Sequence, residues 1–233
     1  MADHPISSLD PIELLKPLTP VERAALARQC RFRRYRTEEQ ITDHLGEGRD
    51  ICFVVLGRVR VVNHSLSGKE VSFDDVPAGG FFGELSAIDG GRRSASVVAV
   101  ADSLIAFLGP RAFQELLTRH PELAWQVMKR LAAVVRAATA RIMDLSTLAA
   151  NNRVQAELLR LAKPGMKGNS TAVIAPVPAH SDIAARVSTT RETVARVLSD
   201  LARDGIVKRR ADTLVIRDVG ALERMVEEVR GGA

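Results

Sequence analysis

The chain has 233 residues, of which 46% are hydrophobic and 26% are charged, so its composition excludes a disordered protein and its length allows two separate cores. No window comes near the roughly 20 consecutive apolar residues of a membrane helix. Residues 1–11 carry Asp and His where a signal peptide needs a basic start and an apolar run. The sequence therefore predicts a cytoplasmic protein without a membrane partner.

The N-terminal half changes from a helical pattern to a strand-like one. Thr19, Pro20 and Glu22 form a capping box with proline at the first helical position, which predicts a short helix ending near Gln29. Short β-branched runs then alternate with turns as far as residue 108, and the clearest candidate strands are residues 51–56, 58–62, 71–76, 94–100 and 104–108. Strands at this spacing predict an antiparallel roll or barrel.

The two cysteines form no metal-binding pattern. Cys30 and Cys52 lie in apolar, strand-like runs, without a CxxC motif or a Cys/His spacing. Buried thiols explain this placement best, so we expect neither a metal site nor redox sensing.

A helical pattern returns after Pro110 and becomes a heptad seam. Its apolar positions alternate by three and four residues, through Met128, Leu131, Val135, Ala138, Ile142, Leu145 and Ala149. Such a seam can pack on its own β-domain, but a length of about three heptads favours a two-helix interface in a homodimer. Asn151 and Asn152 interrupt the pattern, so we expect a hinge near Asn151.

The last third of the chain has the pattern of a small helical domain with a β wing. We expect helices near residues 153–162, 181–187 and 191–202, and a wing over residues 206–216 that turns at residues 209–213. Asp218 is placed to cap a final helix. From residue 151 onwards, 14 Lys and Arg stand against 10 Asp and Glu, a surplus that favours a polyanionic partner.

A motif between two of the predicted strands points to a ligand site. The sequence runs from Gly83-Glu84-Leu85-Ser86 to Arg93-Ser94-Ala95. Arg93 can give a cyclic phosphate paired donors, which the Ser94 hydroxyl and backbone N–H groups complete. Ionised Glu84 only accepts hydrogen bonds, which suits a ribose 2′-hydroxyl. Gly-Glu-Leu followed by Arg-Ser-Ala resembles the phosphate-binding cassette of cyclic-nucleotide-binding domains.

The resemblance assigns the ligand site to Gly83, Glu84, Leu85, Ser86, Arg93, Ser94 and Ala95. It implies that Gly83 and Leu85 approach the ribose through their backbone and that Ala95 leaves room for the ligand. A structural ion pair between Glu84 and Arg93, in a roll without a ligand, is the alternative. The purine is expected at Ala138 and Thr139, where related activators carry adjacent Thr and Ser. Cyclic AMP is favoured as the allosteric ligand, and cyclic GMP stays open.

The helix predicted at residues 191–202 has a buried stripe and a charged outer face. The stripe consists of Val194, Val197, Leu198 and Leu201, spaced i, i+3, i+4 and i+7. The outward residues are Arg191, Glu192, Ala195 and Arg196, with Thr190 as the N-cap. The run Arg-Glu-Thr-Val-Ala-Arg resembles the recognition helix of the cyclic AMP receptor protein family. An ordinary solvated helix face is the alternative.

This second resemblance implies contacts with double-stranded DNA. Arg191 would bind guanine bidentately, Glu192 would accept from cytosine N4, and Arg196 would complete the base readout. Phosphate contacts are expected from Ser181, Thr190, Thr193, Lys208 and Arg210. The sequence departs from the family at Ser188, where many such turns have glycine, and at Ala179, where threonine often caps the first helix.

Together the motifs make the chain similar, over about residues 14–216, to the cyclic AMP receptor protein and fumarate–nitrate regulator (Crp/Fnr) family. The fold class implied is α+β: an N-terminal cyclic-nucleotide-binding β-roll over residues 1–120, a long dimerisation helix and hinge over 121–150, and a C-terminal winged helix-turn-helix over 151–233. The function implied is a homodimeric transcription regulator, not an enzyme, that recognises palindromes with TGTGA-like half-sites. RNA polymerase is a further expected partner.

Three other functions compete with this interpretation. A cupin-like enzyme would need several His or Glu metal ligands on facing strands, which the sequence does not offer. A regulatory subunit that controls a partner enzyme would leave residues 190–196 without a task. A transcription regulator that responds to another effector, or to none, is also compatible with the sequence.

Overall fold

The computed structural model of the chain describes residues 8–64, 70–167 and 170–230. Residues 1–7 lie outside the described residues. They are part of the segment, residues 1–11, whose sequence does not fit a signal peptide. The chain divides into two compact units, Met1–Val134 and Val135–Ala233. Of the helices within the described residues, none has the length and apolar composition needed to span a membrane.

The first unit is built on antiparallel strands. Within its described residues these are β1 Arg31–Tyr35, β2 Gln40–Thr42, β3 Ile51–Leu56, β4 Arg58–His64, β5 Glu70–Pro77, β6 Phe81–Phe82, β7 Ser96–Ala99 and β8 Ser103–Leu108. They form two four-stranded sheets, ordered β1-β8-β3-β6 and β2-β7-β4-β5. Apolar side chains from both sheets, among them Val54, Val97 and Phe107, form one buried cluster. This is the β-roll that the strand spacing predicts.

The sequence pattern missed β1, β2 and β6. Strand β1 lies at the edge of its sheet, and it carries exposed Arg31, Arg33 and Arg34 in place of a regular apolar alternation. Strands β2 and β6 have three and two residues, which is too short to show a period.

A short 3-10 helix, Glu13–Leu15, opens the described part of the first unit. Four α-helices follow within that part or begin there: α1 Pro20–Ala27, α2 Glu84–Asp89, α3 Pro110–Arg119 and α4 Pro121–Thr147. The predicted capping box of α1 is confirmed, since the Thr19 hydroxyl accepts from the Glu22 N–H and the Glu22 carboxylate accepts from the Thr19 N–H. His120 separates α3 from α4, a break that the sequence pattern did not reveal. Leu26, Phe113 and Val127 of these helices share a core with strand β3.

The second unit is a small helical domain with a sheet. In its described residues the elements that follow α4 are α5 Ala150–Ala162, a 3-10 helix Lys163–Gly165, β9 Met166–Lys167, β10 Thr171–Ile174, α6 His180–Val187, α7 Arg191–Arg203, β11 Val207–Arg210, β12 Thr213–Ile216 and α8 Val219–Arg230. The strands form one antiparallel sheet in the order β11-β12-β10-β9. Val154, Leu158 and Val194 belong to its buried core. The predicted cap of α8 is confirmed by a 2.8 Å bond from the Ala221 N–H to Asp218 Oδ1.

The helix interruption lies at Leu148 and Ala149, two residues before Asn151, near which the sequence predicts a hinge. The expectation that Asn151 and Asn152 themselves interrupt the helix was wrong. Ala149 has an extended conformation, with φ −64° and ψ 158°, and occupies the N-cap of α5. Asn151 and Asn152 lie in the first turn of α5. The N–H groups of that turn have no intrahelical acceptor in any helix, so asparagine at these positions breaks no intrahelical hydrogen bond. The Asn152 amide also donates to Gln155 Oε1 at 3.4 Å.

Candidate ligand and DNA sites

The cassette motif folds as the end of β6, the short helix α2 and the loop before β7. Gly83 takes a left-handed conformation, with φ +82°, and α2 begins at Glu84. A Cβ atom on Gly83 would lie 2.2 Å from Arg93 Nη1 and 3.0 Å from the Asp50 carbonyl oxygen. Both the backbone conformation and the close approach of Arg93 therefore require glycine here.

Arg93 is a buried cation that forms no ion pair with any of the described residues. Its residue exposure is 8%, Nη1 donates to the Gly83 carbonyl at 3.2 Å, and Nη2 donates to the Asp50 carbonyl at 2.7 Å. Its Nε is buried and has no hydrogen-bond partner. No carboxylate of the described residues forms an ion pair with Arg93. Since a buried, unpaired charge is costly, the site is suited to an anionic group.

The remaining cassette residues take different positions around this guanidinium. Ser94 is exposed, whereas Ala95 is buried. The Ser86 hydroxyl is engaged by the loop, because it donates to the Arg92 carbonyl at 3.3 Å. The N–H groups of Leu85 and Ser86 lie in the first turn of α2, where no intrahelical acceptor is available, so they can donate to a ligand.

Glu84 is half-buried at the start of α2. Burial raises the pKa of its carboxyl, and Asp74 adds to the rise. The Glu84 backbone N–H and the charges of Arg130 and Arg93 lower that pKa in turn. No ion pair joins Glu84 to Arg93, so these contacts give no support to the structural alternative.

The predicted seam on α4 is largely exposed. Met128, Val135, Ile142 and Leu145 are between 42% and 64% exposed, and Ala138 is exposed as well. Leu131 differs, because it packs in part against the core of the first unit. Apolar side chains on an exposed stripe are typical of an interaction surface.

Thr139 follows the seam position Ala138 and is exposed. Its hydroxyl donates to the Val135 carbonyl at 3.0 Å, one turn earlier in the same helix. The hydroxyl proton is therefore engaged, while the oxygen lone pairs remain able to accept.

Helices α6 and α7 are joined by a tight turn. Ser188 ends α6 in a left-handed conformation, with φ 53° and ψ 49°, the position where related turns have glycine. Thr190 caps α7, since its hydroxyl accepts from the Thr193 N–H at 3.3 Å. The start of α6 has no such cap, because Ala179 offers no side-chain acceptor.

Arg153 holds this turn, although no motif in the sequence marks it. Its guanidinium donates from Nε to the Val187 carbonyl at 2.9 Å, from Nη2 to the Ser188 carbonyl at 3.3 Å and from Nη1 to the Leu148 carbonyl at 2.8 Å. Arg153 thereby ties the end of α6 to the junction between α4 and α5. The acceptors on Val187 and Ser188 are 34 and 35 residues away, so no local pattern around Arg153 could have indicated the role.

The outer face of α7 presents exposed charges. Arg191 and Glu192 are exposed and line one surface pocket together with His180, Ser181 and Ala195. Hydrogen bonds from its own backbone N–H and from Thr190 lower the pKa of Glu192, which keeps this carboxylate an acceptor. His180 was not predicted as a site residue; its place at the start of α6 brings it into the pocket.

Further exposed cations lie on strand β11 and on α7. Lys208 and Arg210 are exposed on β11, with Arg209 between them, and none of the three has an acidic partner in the described chain. Arg196 is exposed too, and its Nη2 lies 3.4 Å from Asn151 Oδ1. The predicted base-contacting and phosphate-contacting residues of α7 and β11 thus lie at the surface.

Both cysteines are free thiols. Burial raises the pKa of Cys30 and of Cys52 to about 12. A thiol with such a pKa holds little thiolate at neutral pH, and the thiolate is the reactive form.

Two family models match the chain, a cyclic nucleotide-binding domain over residues 32–120 and a Crp-like helix-turn-helix domain over residues 152–225. The chain is 35% identical over 178 residues to the cyclic AMP receptor protein of Thermus thermophilus, across 76% of this chain and 80% of that protein. A CooA mutant from Carboxydothermus hydrogenoformans has a similar structure, with a TM-score of 0.80, 25% identity and coverage of 91% and 95% of the two chains.

The regulator CLP of Xanthomonas campestris, described as c-di-GMP responsive, shares the fold, with a TM-score of 0.66 and 21% identity over 81% of this chain and 94% of that one. A cyclic nucleotide-binding domain followed by a helix-turn-helix domain defines a DNA-binding transcription regulator. The chain belongs to the Crp/Fnr family of such regulators, which are not enzymes.

Proposed function

We propose that the chain is a homodimer that binds cyclic AMP and, in that state, recognises palindromic DNA with TGTGA-like half-sites. The observation that carries the proposal is Arg93, a buried cation with an unpartnered Nε and no ion pair to a carboxylate of the described residues. A cyclic phosphate supplies the missing negative charge and accepts the free N–H. The name of the similar T. thermophilus protein, cyclic AMP receptor protein, supports the same ligand.

Thr139 favours adenine over guanine. Because its proton is engaged by the Val135 carbonyl, the hydroxyl can accept from the 6-amino group of adenine without losing that bond. Guanine carries an acceptor, O6, at the same ring position, so it would need the engaged proton. We assign the purine contact to Ala138 and Thr139, with the base reaching them from a second copy of the chain.

Dimerisation through α4 is supported by the exposed stripe of Met128, Val135, Ile142 and Leu145, to which Leu131 and Ala138 belong by spacing. The proposal keeps three functional parts, with residues 1–120 for the ligand, 121–150 for the dimer and 151–233 for DNA. A two-fold axis would place two α7 helices about 34 Å apart, one turn of DNA, which explains a palindromic site.

On DNA, Arg191 binds guanine and Glu192 accepts from cytosine N4 of the same half-site, with Arg196 beside them. Ser181, Thr190, Thr193, Lys208 and Arg210 bind phosphates and fix the register of α7. RNA polymerase is the proposed partner of the DNA-bound dimer.

Calorimetry and a DNA titration test the proposal together. Cyclic AMP is expected to bind once per protomer and more tightly than cyclic GMP, and to tighten binding to a TGTGA palindrome but not to a scrambled duplex. Preference for cyclic GMP would refute the role of Thr139. Specific DNA binding without an effect of either nucleotide would show that this chain responds to another effector or to none. The c-di-GMP responsive regulator has the same fold and is described with a different effector.

A further inference from the structure

Two buried polar atoms lie on the inner face of the sheet β2-β7-β4-β5, the face toward the apolar cluster that both sheets share. Thr42 Oγ1 and Asn63 Oδ1 are both buried, and neither has a hydrogen-bond partner among the described residues. Thr42 lies opposite Val97, and Val97 lies opposite Val61; both valines pack in that cluster. Asn63 follows Val61 by two residues on β4, so it shares the inner face.

Asn63 stands at the end of β4 that adjoins the cassette. Strand β4 pairs with β7 as far as Val62 and Ser96, so Asn63 and Ala95 follow directly at the end of that ladder. Ala95 is a buried residue of the cassette motif, whereas Thr42 lies opposite the next inward residue of β7. A buried acceptor without a donor costs stability, so Asn63 Oδ1 marks a place where a ligand can supply the donor.

The chemistry of the ligand decides which group can meet this oxygen. A carboxamide oxygen only accepts hydrogen bonds, and an ionised cyclic phosphate has no N–H or O–H to donate. The donors of cyclic AMP are the ribose 2′-hydroxyl and the 6-amino group of the adenine. The proposed function assigns the hydroxyl to Glu84 and a single amino hydrogen to Thr139. The other amino hydrogen, which lies beside N7, is left for Asn63.

We propose that Asn63 is a specificity-determining residue that binds the N7 edge of the adenine, an inference that rests on the proposed function. Its Oδ1 accepts from the 6-amino group and its Nδ2 donates to N7, the bidentate pairing by which asparagine recognises adenine in DNA. The amino hydrogen beside N1 stays available for Thr139. Guanine presents two acceptors, O6 and N7, on the same edge, so Oδ1 would face another acceptor and cyclic GMP would bind more weakly.

The test compares Asn63→Leu with Thr42→Val, a matched control that removes the other unpartnered polar atom from the same face. Calorimetry is carried out with cyclic AMP and with 7-deaza cyclic AMP, in which a C–H group replaces N7. The unmodified chain should bind the 7-deaza analogue about five- to thirtyfold more weakly, because Asn63 Nδ2 then loses its acceptor inside a buried site. Asn63→Leu and Asn63→Ala should bind the two nucleotides about equally, whereas Thr42→Val should keep the full ratio.

Equal affinities of the unmodified chain for cyclic AMP and its 7-deaza analogue would overturn the role of Asn63 while leaving the proposed function intact. An undiminished ratio of these affinities in either Asn63 variant, or an equal loss of the ratio in Thr42→Val, would overturn it as well. Failure of the unmodified chain to bind cyclic AMP would refute the proposed function, and the assignment of Asn63 to an adenine would fall with it.

Discussion

Replacing Arg93 with alanine removes the guanidinium that the cassette holds between two backbone carbonyls. In the unmodified chain the carbonyls of Gly83 and Asp50 accept hydrogen bonds from the Arg93 guanidinium and fix its orientation. Its buried Nε has no hydrogen-bond partner. Truncating one partner of a buried charge pair costs about 2–5 kcal/mol, which is a loss of affinity for cyclic AMP of about 30-fold to several thousandfold.

Calorimetry and ligand-dependent thermal unfolding both measure this loss. At about 100 times its dissociation constant, a ligand stabilises the protein that binds it by about 2.7 kcal/mol. Arg93→Ala is expected to bind cyclic AMP at least about 30-fold more weakly. The same concentration of cyclic AMP therefore stabilises the folded variant by less than about 1 kcal/mol. The control is Arg92→Ala, because Arg92 is an exposed neighbour with the same charge and should leave ligand binding nearly unchanged.

The ligand-free Arg93→Ala protein is expected to fold. Losing the bonds to two carbonyls costs about 1 kcal/mol each, and the removal of an unpaired buried cation acts in the opposite direction. Circular dichroism and the melting temperature check this point. An unchanged affinity in the folded variant, or an equal loss in Arg92→Ala, would refute the assignment of the phosphate to Arg93.

Three other substitutions test the DNA site and its turn. Glu192→Ala should relax discrimination at a single base pair by about 1–3 kcal/mol in anisotropy titrations with singly substituted sites, and unchanged discrimination at every position would exclude the assigned register. Lys208→Ala should weaken binding to all sequences alike and reduce the salt slope by about one. Ser188→Gly should raise the free energy of unfolding by about 0.5–1 kcal/mol in a denaturant titration, because a left-handed residue favours glycine; a destabilised variant would contradict this.

Features whose partners are close in the chain were predictable from sequence. Thr19, Thr190 and Asp218 each cap a helix through a bond to a residue three positions away, so a short window contains both partners. The spacing of the strands, likewise local, predicted the roll. The two halves of the motif, Gly-Glu-Leu and Arg-Ser-Ala, are also close in the chain, since Arg93 donates to the Gly83 carbonyl across only ten residues.

Features that depend on distant partners were not predictable. The carbonyl of Asp50 that holds Arg93 is 43 residues away, and Arg153 finds its acceptor on Val187 over 34 residues. Arg130 meets Asp74 over 56 residues, so its sequence context is that of an ordinary charged helix residue. Only the packed fold brings these groups together, and the burial that then raises the pKa of Glu84 is itself a property of the fold.

Coupling between ligand and DNA is expected to depend on Thr139. Typical allosteric coupling is about 1–3 kcal/mol, so cyclic AMP should tighten DNA binding by roughly 5–150-fold, and DNA should tighten cyclic AMP binding by the same factor. If the adenine donates to Thr139 from a second copy, ligand binding favours one packing of the α4 seam. Thr139→Ala removes this acceptor and should lose much of the factor, while Arg93 still holds the phosphate.

The matched control for Thr139→Ala is Thr147→Ala. The Thr147 hydroxyl donates to the Met143 carbonyl at 2.8 Å, the same bond to the preceding turn that Thr139 makes to Val135. Both substitutions therefore change the helix alike, but only Thr139 adjoins the seam position Ala138. The ratio of DNA affinities with and without saturating cyclic AMP should fall in Thr139→Ala and persist in Thr147→Ala and in Thr139→Ser. An equal fall of this ratio in both alanine variants would assign the effect to the helix. An undiminished ratio in Thr139→Ala would exclude Thr139 as the link between ligand binding and DNA binding. A ratio near one in the unmodified protein would mean that cyclic AMP is not the switch.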